Sequence, residues 1–135
     1  MRVVLRRLAL AATGALTLVL SAAAPATAHE HQKTSDPPAE VPASGKITVV
    51  AKEFKFSPGA IQVKKGQHVT IVFKNEGRLS HNLTIPDLGL HTSTIQSGAQ
   101  ATIEFTAKQT GTHAFWCAVP GHKQAGMIGK VDVVK

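Results

Sequence analysis

The sequence predicts an all-β fold: a Greek-key β-sandwich of two sheets, with seven to eight strands in one domain over residues 45–135. Three observations lead there. From residue 45 onward, short apolar runs are broken by Gly, Pro, Asn and Asp, the residues that form turns. No ten-residue stretch beyond residue 28 has a helical period. The domain so bounded, about 90 residues, is close to the size of a small Greek-key sandwich. Pattern alone fits an immunoglobulin-like domain equally well.

The expected strands follow in order. Residues 47–51 (ITVVA) open the domain, and residues 53–56 alternate before the turn at Ser57-Pro58-Gly59. A short strand over 61–63 ends at Lys64-Lys65-Gly66. Val69, Ile71 and Phe73 alternate with Thr70 and Val72, and Asn75-Glu76-Gly77 makes a turn. Residues 81–85 form the next run, closed by Pro86-Asp87, and 93–95 are a weaker one. Ala101, Ile103 and Phe105 alternate with polar neighbours. Residues 112–117 and 129–134 supply the last two strands. Inward-facing Val, Ile and Phe then fill the space between two sheets. Trp116 and Phe115 are read as packing residues, and His113 shares its strand parity with Phe115 and Cys117.

The first 28 residues have the three parts of a secretory signal peptide. Arg2, Arg6 and Arg7 charge the start, residues 8–24 are apolar, and Ala26-Thr27-Ala28 is an A-x-A cleavage site. Thr13, Gly14, Thr17 and Ser21 interrupt the apolar run, which is short for a membrane span. The expected mature chain begins at His29, is exported to a periplasmic, extracellular or cell-surface location, and has no stable membrane insertion. Residues 29–44 are polar and contain Pro37, Pro38 and Pro42. They read as a flexible linker that cannot bury enough surface to fold. A new terminus at His29-Glu30-His31 has a histidine in third place. That arrangement chelates Cu(II), so His29 and His31 form a candidate weak second copper site, against the plainer reading of solvated histidines.

Removing the three leader arginines takes the formal charge from +7 to +4. This mildly basic chain has no clustered Lys/Arg stripe with interleaved aromatics, so nucleic-acid binding is not expected. His68, His91 and His113 have no donor spacing around them and are read as structural or solvated.

Chemistry concentrates between Cys117 and Met127. The run reads C-x4-H-x4-M, with His122 midway. Cys117 is the only cysteine, and Met127 is the only methionine besides Met1. A thiol, an imidazole and a thioether are soft or borderline metal donors. Pro120-Gly121 and Gly126 give the intervening backbone its turns. Upstream, Ser80-His81-Asn82 heads another strand-like run, and His81 offers a fourth donor. Two histidines, one thiolate and a weak axial thioether are the ligand set of a blue-copper electron-transfer site. A lone cysteine in an exported chain needs a reason, and burial beneath a metal protects a thiolate from oxidation. The plainer alternatives are an inert core cysteine, a satisfied loop histidine and a core methionine. His2Cys donors also suit zinc.

On these residues the chain resembles the cupredoxins, the small blue-copper proteins, over residues 45–135. Its donor spacing is most similar to the rusticyanin, sulfocyanin and auracyanin branch. The resemblance implies a cupredoxin-like sandwich holding one copper ion, with His81, Cys117, His122 and Met127 as ligands. It implies that the Asn82 side chain ties the His81 strand to the cysteine loop. It also implies that His122 passes electrons outward through an imidazole edge at the surface. Around that edge, Ala118, Val119, Pro120, Ala125 and Gly126, with Leu79 and Pro86, would give brief docking to redox protein partners. The expected function is that of a monomeric, exported single-electron carrier, not an enzyme. The alternative is a copper-handling protein, a chaperone or scavenger. Open Met- or His-rich sites are usual there, whereas this chain has one methionine beyond the leader. A multicopper oxidase would need further H-x-H pairs, and His29-x-His31 is the only one. A binuclear copper centre would need a second cysteine, and no Ser/His/Asp arrangement suggests hydrolysis.

Overall fold

The computed structural model describes residues 37–135. The leader over 1–28, and His29 and His31, lie outside the described residues. Ten strands form two sheets: β1 Ala39–Glu40, β2 Lys46–Lys52, β3 Lys55–Ser57, β4 Ala60–Lys64, β5 His68–Asn75, β6 Thr84–Ile85, β7 Leu90–His91, β8 Gln100–Thr106, β9 Gly111–Trp116 and β10 Ile128–Val134. One sheet has the order β1-β4-β10-β9-β6-β7 and the other β3-β2-β5-β8. A single 3₁₀ turn, Pro86–Leu88, is the sole helical element among the described residues.

Alternation along the strands builds the core. Val69, Ile71 and Phe73 of β5 face inward, as do Val131 and Val133 of β10 and Phe115 of β9. Phe56 sits between Phe115 and Phe73, with ring centroids 5.2 and 6.2 Å away. Burying each ring contributes roughly 2–3 kcal/mol. Gly129 is required where β10 crosses this cluster, because a Cβ there would collide with the Phe115 ring and lie 2.6 Å from the Gly59 carbonyl.

The structure departs from the sequence reading at two places. The linker does not extend to residue 44. Ala39 and Glu40 pair parallel with Ile61 and Gln62, and the Val41 amide donates to the Gln62 carbonyl at 2.8 Å. The Val41 side chain is buried in the core. The buried Val41 side chain docks this segment together with Gln67, whose Nε2 donates to the Val41 and Pro42 carbonyls at 3.3 and 2.7 Å, and its prolines mask that in a composition average. The second departure is at residues 81–85 and 93–95. Only Thr84–Ile85 is a regular strand, and the rest reduces to a single bridge between His81 and Ile95. Two-residue strands, β1 and β7, account for the count exceeding eight.

Strand pairing positions the metal donors. β9 and β10 are antiparallel, with Trp116 opposite Ile128. Cys117 and Met127 therefore begin and end the loop that joins them. β6 pairs with β9 through Thr84 and Trp116. That contact sets His81, three residues before Thr84, beside Cys117.

Candidate metal centre

The 117–127 loop is shaped by its own backbone. His122 N donates to Val119 O at 3.1 Å, Ala125 N to Gly121 O at 3.0 Å, and Gly126 N to Lys123 O at 3.0 Å. Gly121 and Gly126 have φ of 84° and 96°, the left-handed region where a side chain is strained. The loop closes where Met127 N donates to His122 O at 3.0 Å and Cys117 N to Met127 O at 3.2 Å. Met127 is thus hydrogen-bonded through its backbone to both neighbouring donor residues, and its side chain is fully buried. Lys123 Nζ lies 3.5 Å from the centroid of the half-buried Trp116 ring, bracing the loop from outside.

His81, Cys117 and His122 form one buried cluster. The two Nδ1 atoms are 3.2 Å apart, and Cys117 Sγ lies 3.5 Å from His122 Nδ1 and 3.9 Å from His81 Nδ1. Three donors roughly 2.0–2.3 Å from one ion at near-trigonal angles would lie about 3.5–4 Å from each other. A hydrogen bond between the rings would account for one side of this triangle but not for a sulfur facing both nitrogens. Burial holds the His81 imidazole below its usual range, with His122 acting in the same sense and Glu53 opposing. A neutral imidazole is the form that ligates a metal. Thiolate, two imidazoles and thioether favour copper by softness, and the residues present fit one such ion.

Asn82 links the two ligand-bearing segments. Its Oδ1 accepts from Ala118 N at 2.6 Å, its Nδ2 donates to Thr94 Oγ1 at 3.0 Å, and its own amide points at Cys117 Sγ at 3.5 Å. Little of the His122 imidazole reaches the surface. His122 is 7% exposed. The Phe54 ring covers it edge-on at a centroid distance of 5.2 Å.

Three further residues at the site are not legible in the sequence. Glu53 Oε1 accepts from the amides of Arg78 and Leu79. Asn75 sends Nδ2 to the carbonyls of Leu79 and Ile95 at 2.8 and 3.0 Å and accepts from Gly77 N at 2.9 Å. Phe54 is the third. The Asn75-Glu76-Gly77 turn signal marks a loop there but not its anchors. Away from the centre, His68 and His91 are exposed. His113 lies 3.6 Å from the Asp87 carboxylate, with neither ring nitrogen hydrogen-bonded.

A two-sheet β-sandwich that gathers two imidazoles and a cysteine sulfur at one end, with a buried methionine closing the same loop, defines a mononuclear copper protein of the blue-copper class. The chain belongs to the Cupredoxin-like domain family, whose model matches residues 10–129. It is 26% identical to the copper-resistant cuproprotein CopI of Pseudomonas aeruginosa, over 95% of this chain and 97% of that one. It is 30% identical to the protein of the same name from Rubrivivax gelatinosus, over 63% of each. Among solved structures it is similar to dithionite-reduced auracyanin from Roseiflexus castenholzii, with a TM-score of 0.62 and 26% identity over 70% of this chain and all of that one.

Proposed function

We propose that this chain is an exported single-electron carrier with one copper ion held by His81, Cys117, His122 and Met127. The observation behind it is the closed donor triangle, in which His81 and Cys117 have no exposure and His122 is 7% exposed. Bound there, copper supplies a one-electron Cu(I)/Cu(II) couple. The chain's part is to hold the donors still. Backbone bonds fix Cys117, His122 and Met127 within one loop, and the Ile95 bridge and Asn82 fix His81 against it. A rigid donor set that suits neither oxidation state fully keeps reorganisation small. The likeness to a reduced auracyanin supports this reading. Exposed Ala118, Pro120 and Ala125, with exposed Leu79 and Phe54, offer a small apolar surface for brief docking of a redox protein. No helix of the described residues is long and apolar enough to cross a membrane.

Copper handling is the second reading, favoured by the two relatives named as copper-resistant cuproproteins. One titration tests both. Cu(II) added to the purified protein is expected to give one tightly held ion with intense visible absorption. Ascorbate bleaches it, reoxidation restores it, and Cys117→Ser lacks it. Loss of the ion to a mild chelator on reduction, without return of colour, would favour handling over electron carriage.

A further inference from the structure

We propose that the β2–β3 turn, Glu53–Phe54, is a clasp that closes the metal centre and slows release of the ion. This rests on copper occupying the donor set described above. The turn connects two strands of the second sheet, whereas the ligands are carried by the first. Its two side chains nevertheless reach both ligand-bearing segments. Phe54 lies T-shaped against the His122 ring, while itself remaining 41% exposed. Glu53 Oε1 accepts from the amides of Arg78 and Leu79, in the loop that leads into His81. The Arg78 amide foremost, and then the Leu79 amide, hold the Glu53 carboxyl below its usual range.

Two further features are fitted to this contact. A Cβ on Gly77 would stand 2.6 Å from Glu53 Oε1 and 3.1 Å from His81 Nε2. Only glycine therefore lets the carboxylate and the ligand imidazole approach the same stretch of backbone. His81 Nε2 is buried without a hydrogen-bond partner, so the loop, and not a bond at that nitrogen, must orient the ring. Metal-bound histidines are usually held through that second nitrogen. Here Glu53 acts one step removed, as a positioning residue. Phe54 has φ of 59°, among the described residues the only non-glycine in the left-handed region. A bulky side chain is unfavourable there, and such positions persist where the surroundings over-determine them. The ring is turned toward His122 at the expense of local backbone preference.

The test compares wild type with Phe54→Gly, Glu53→Ala and Glu53→Gln. Copper-loaded, reduced protein is mixed with excess Cu(I) chelator and the release rate is followed. Hydrogen exchange at the Arg78 and Leu79 amides is measured in the metal-free proteins. Glycine at 54 removes the ring but suits the positive φ, so Phe54→Gly opens the clasp without straining the fold. Phe54→Gly and Glu53→Ala are each expected to release copper about tenfold faster than wild type. Glu53→Gln keeps an accepting oxygen and stays near wild type. Exchange at the two amides rises in Glu53→Ala and not in Phe54→Gly. Unchanged release in both Phe54→Gly and Glu53→Ala, with normal visible absorption, overturns the proposal. So does faster release matched by an equal fall in the urea midpoint of each metal-free variant. If wild type takes up no copper, the electron-carrier reading and the retention role fall together. Amide exchange still reports whether Glu53 clamps the loop.

Discussion

The two segments that supply metal donors are built in opposite ways. The 117–127 loop is shaped from within, by hydrogen bonds between its own backbone groups and by two glycines at positive φ. The 76–82 loop has no such internal ladder. It is shaped by groups outside it: the side chains of Asn75 at its root and of Glu53 from the β2–β3 turn, and the backbone of Ile95, which pairs with His81 at 2.8 and 3.1 Å. A self-shaped loop can tolerate loss of a side chain beside it. A loop shaped from outside depends on each anchor.

The strongest way to break this comparison is Asn75→Ala. Asn75 is 1% exposed and satisfies the Leu79 and Ile95 carbonyls and the Gly77 amide at once. Alanine leaves buried polar groups without partners, and the cost is expected to be about 2–4 kcal/mol of stability. Urea unfolding of the metal-free protein measures it. Asn75→Asp keeps the oxygen that accepts from Gly77 but sets a carboxylate oxygen against the Leu79 and Ile95 carbonyls in a buried place, and should cost at least as much as alanine. A loss in Asn75→Ala below that of a surface substitution would mean that the 76–82 loop holds its own shape.

Asn82→Ala comes next, because Asn82 joins the two loops rather than building either. The Oδ1 bond to Ala118 N is lost, together with the bond to Thr94. The Ala118 amide is at an exposed residue, so water can replace the lost acceptor and the penalty is about 1 kcal/mol. The backbone contact from Asn82 N to Cys117 Sγ survives the substitution. Copper is therefore expected to bind and give visible absorption, with the band displaced from wild type as the His81 segment loosens against the sulfur. An absorption spectrum identical to wild type would show that the Ile95 bridge alone fixes His81.

The same contrast explains what could be read from the chain alone. Equal spacing of Cys117, His122 and Met127 was legible because the loop's geometry is local to its sequence. The sandwich was legible because alternation along β5, β8, β9 and β10 directly records which face is buried. His81 was reachable as a fourth donor through its strand-like context and the asparagine that follows it. Glu53, Phe54 and Asn75 were not, because each acts across a distance in sequence that no periodicity reports. Glu53 and Phe54 stand in an alternating run where they look like ordinary strand residues. Their turn places them over His122 and beside Arg78 only once the sheets are stacked. The docking of Ala39–Glu40 was hidden for the same reason, since its partners lie in β4.

The smallest expected effect belongs to Lys123→Ala, which tests the self-shaped loop from its own side. Lys123 Nζ sits over the Trp116 ring at 3.5 Å, next in sequence to a metal donor. At an exposed site such a cation–π contact is worth about 0.5–1 kcal/mol. Removing it leaves intact all five backbone bonds that run within residues 117–127 and fix Cys117, His122 and Met127. One of them uses the Lys123 carbonyl, which alanine retains. The urea midpoint should fall slightly, and the visible spectrum and copper release rate should match wild type. Were Lys123→Ala to cost more than Asn82→Ala, or to displace the absorption band, the loop would depend on outside bracing after all. The distinction between a loop that makes its own shape and one that is given it would then fail at the metal centre.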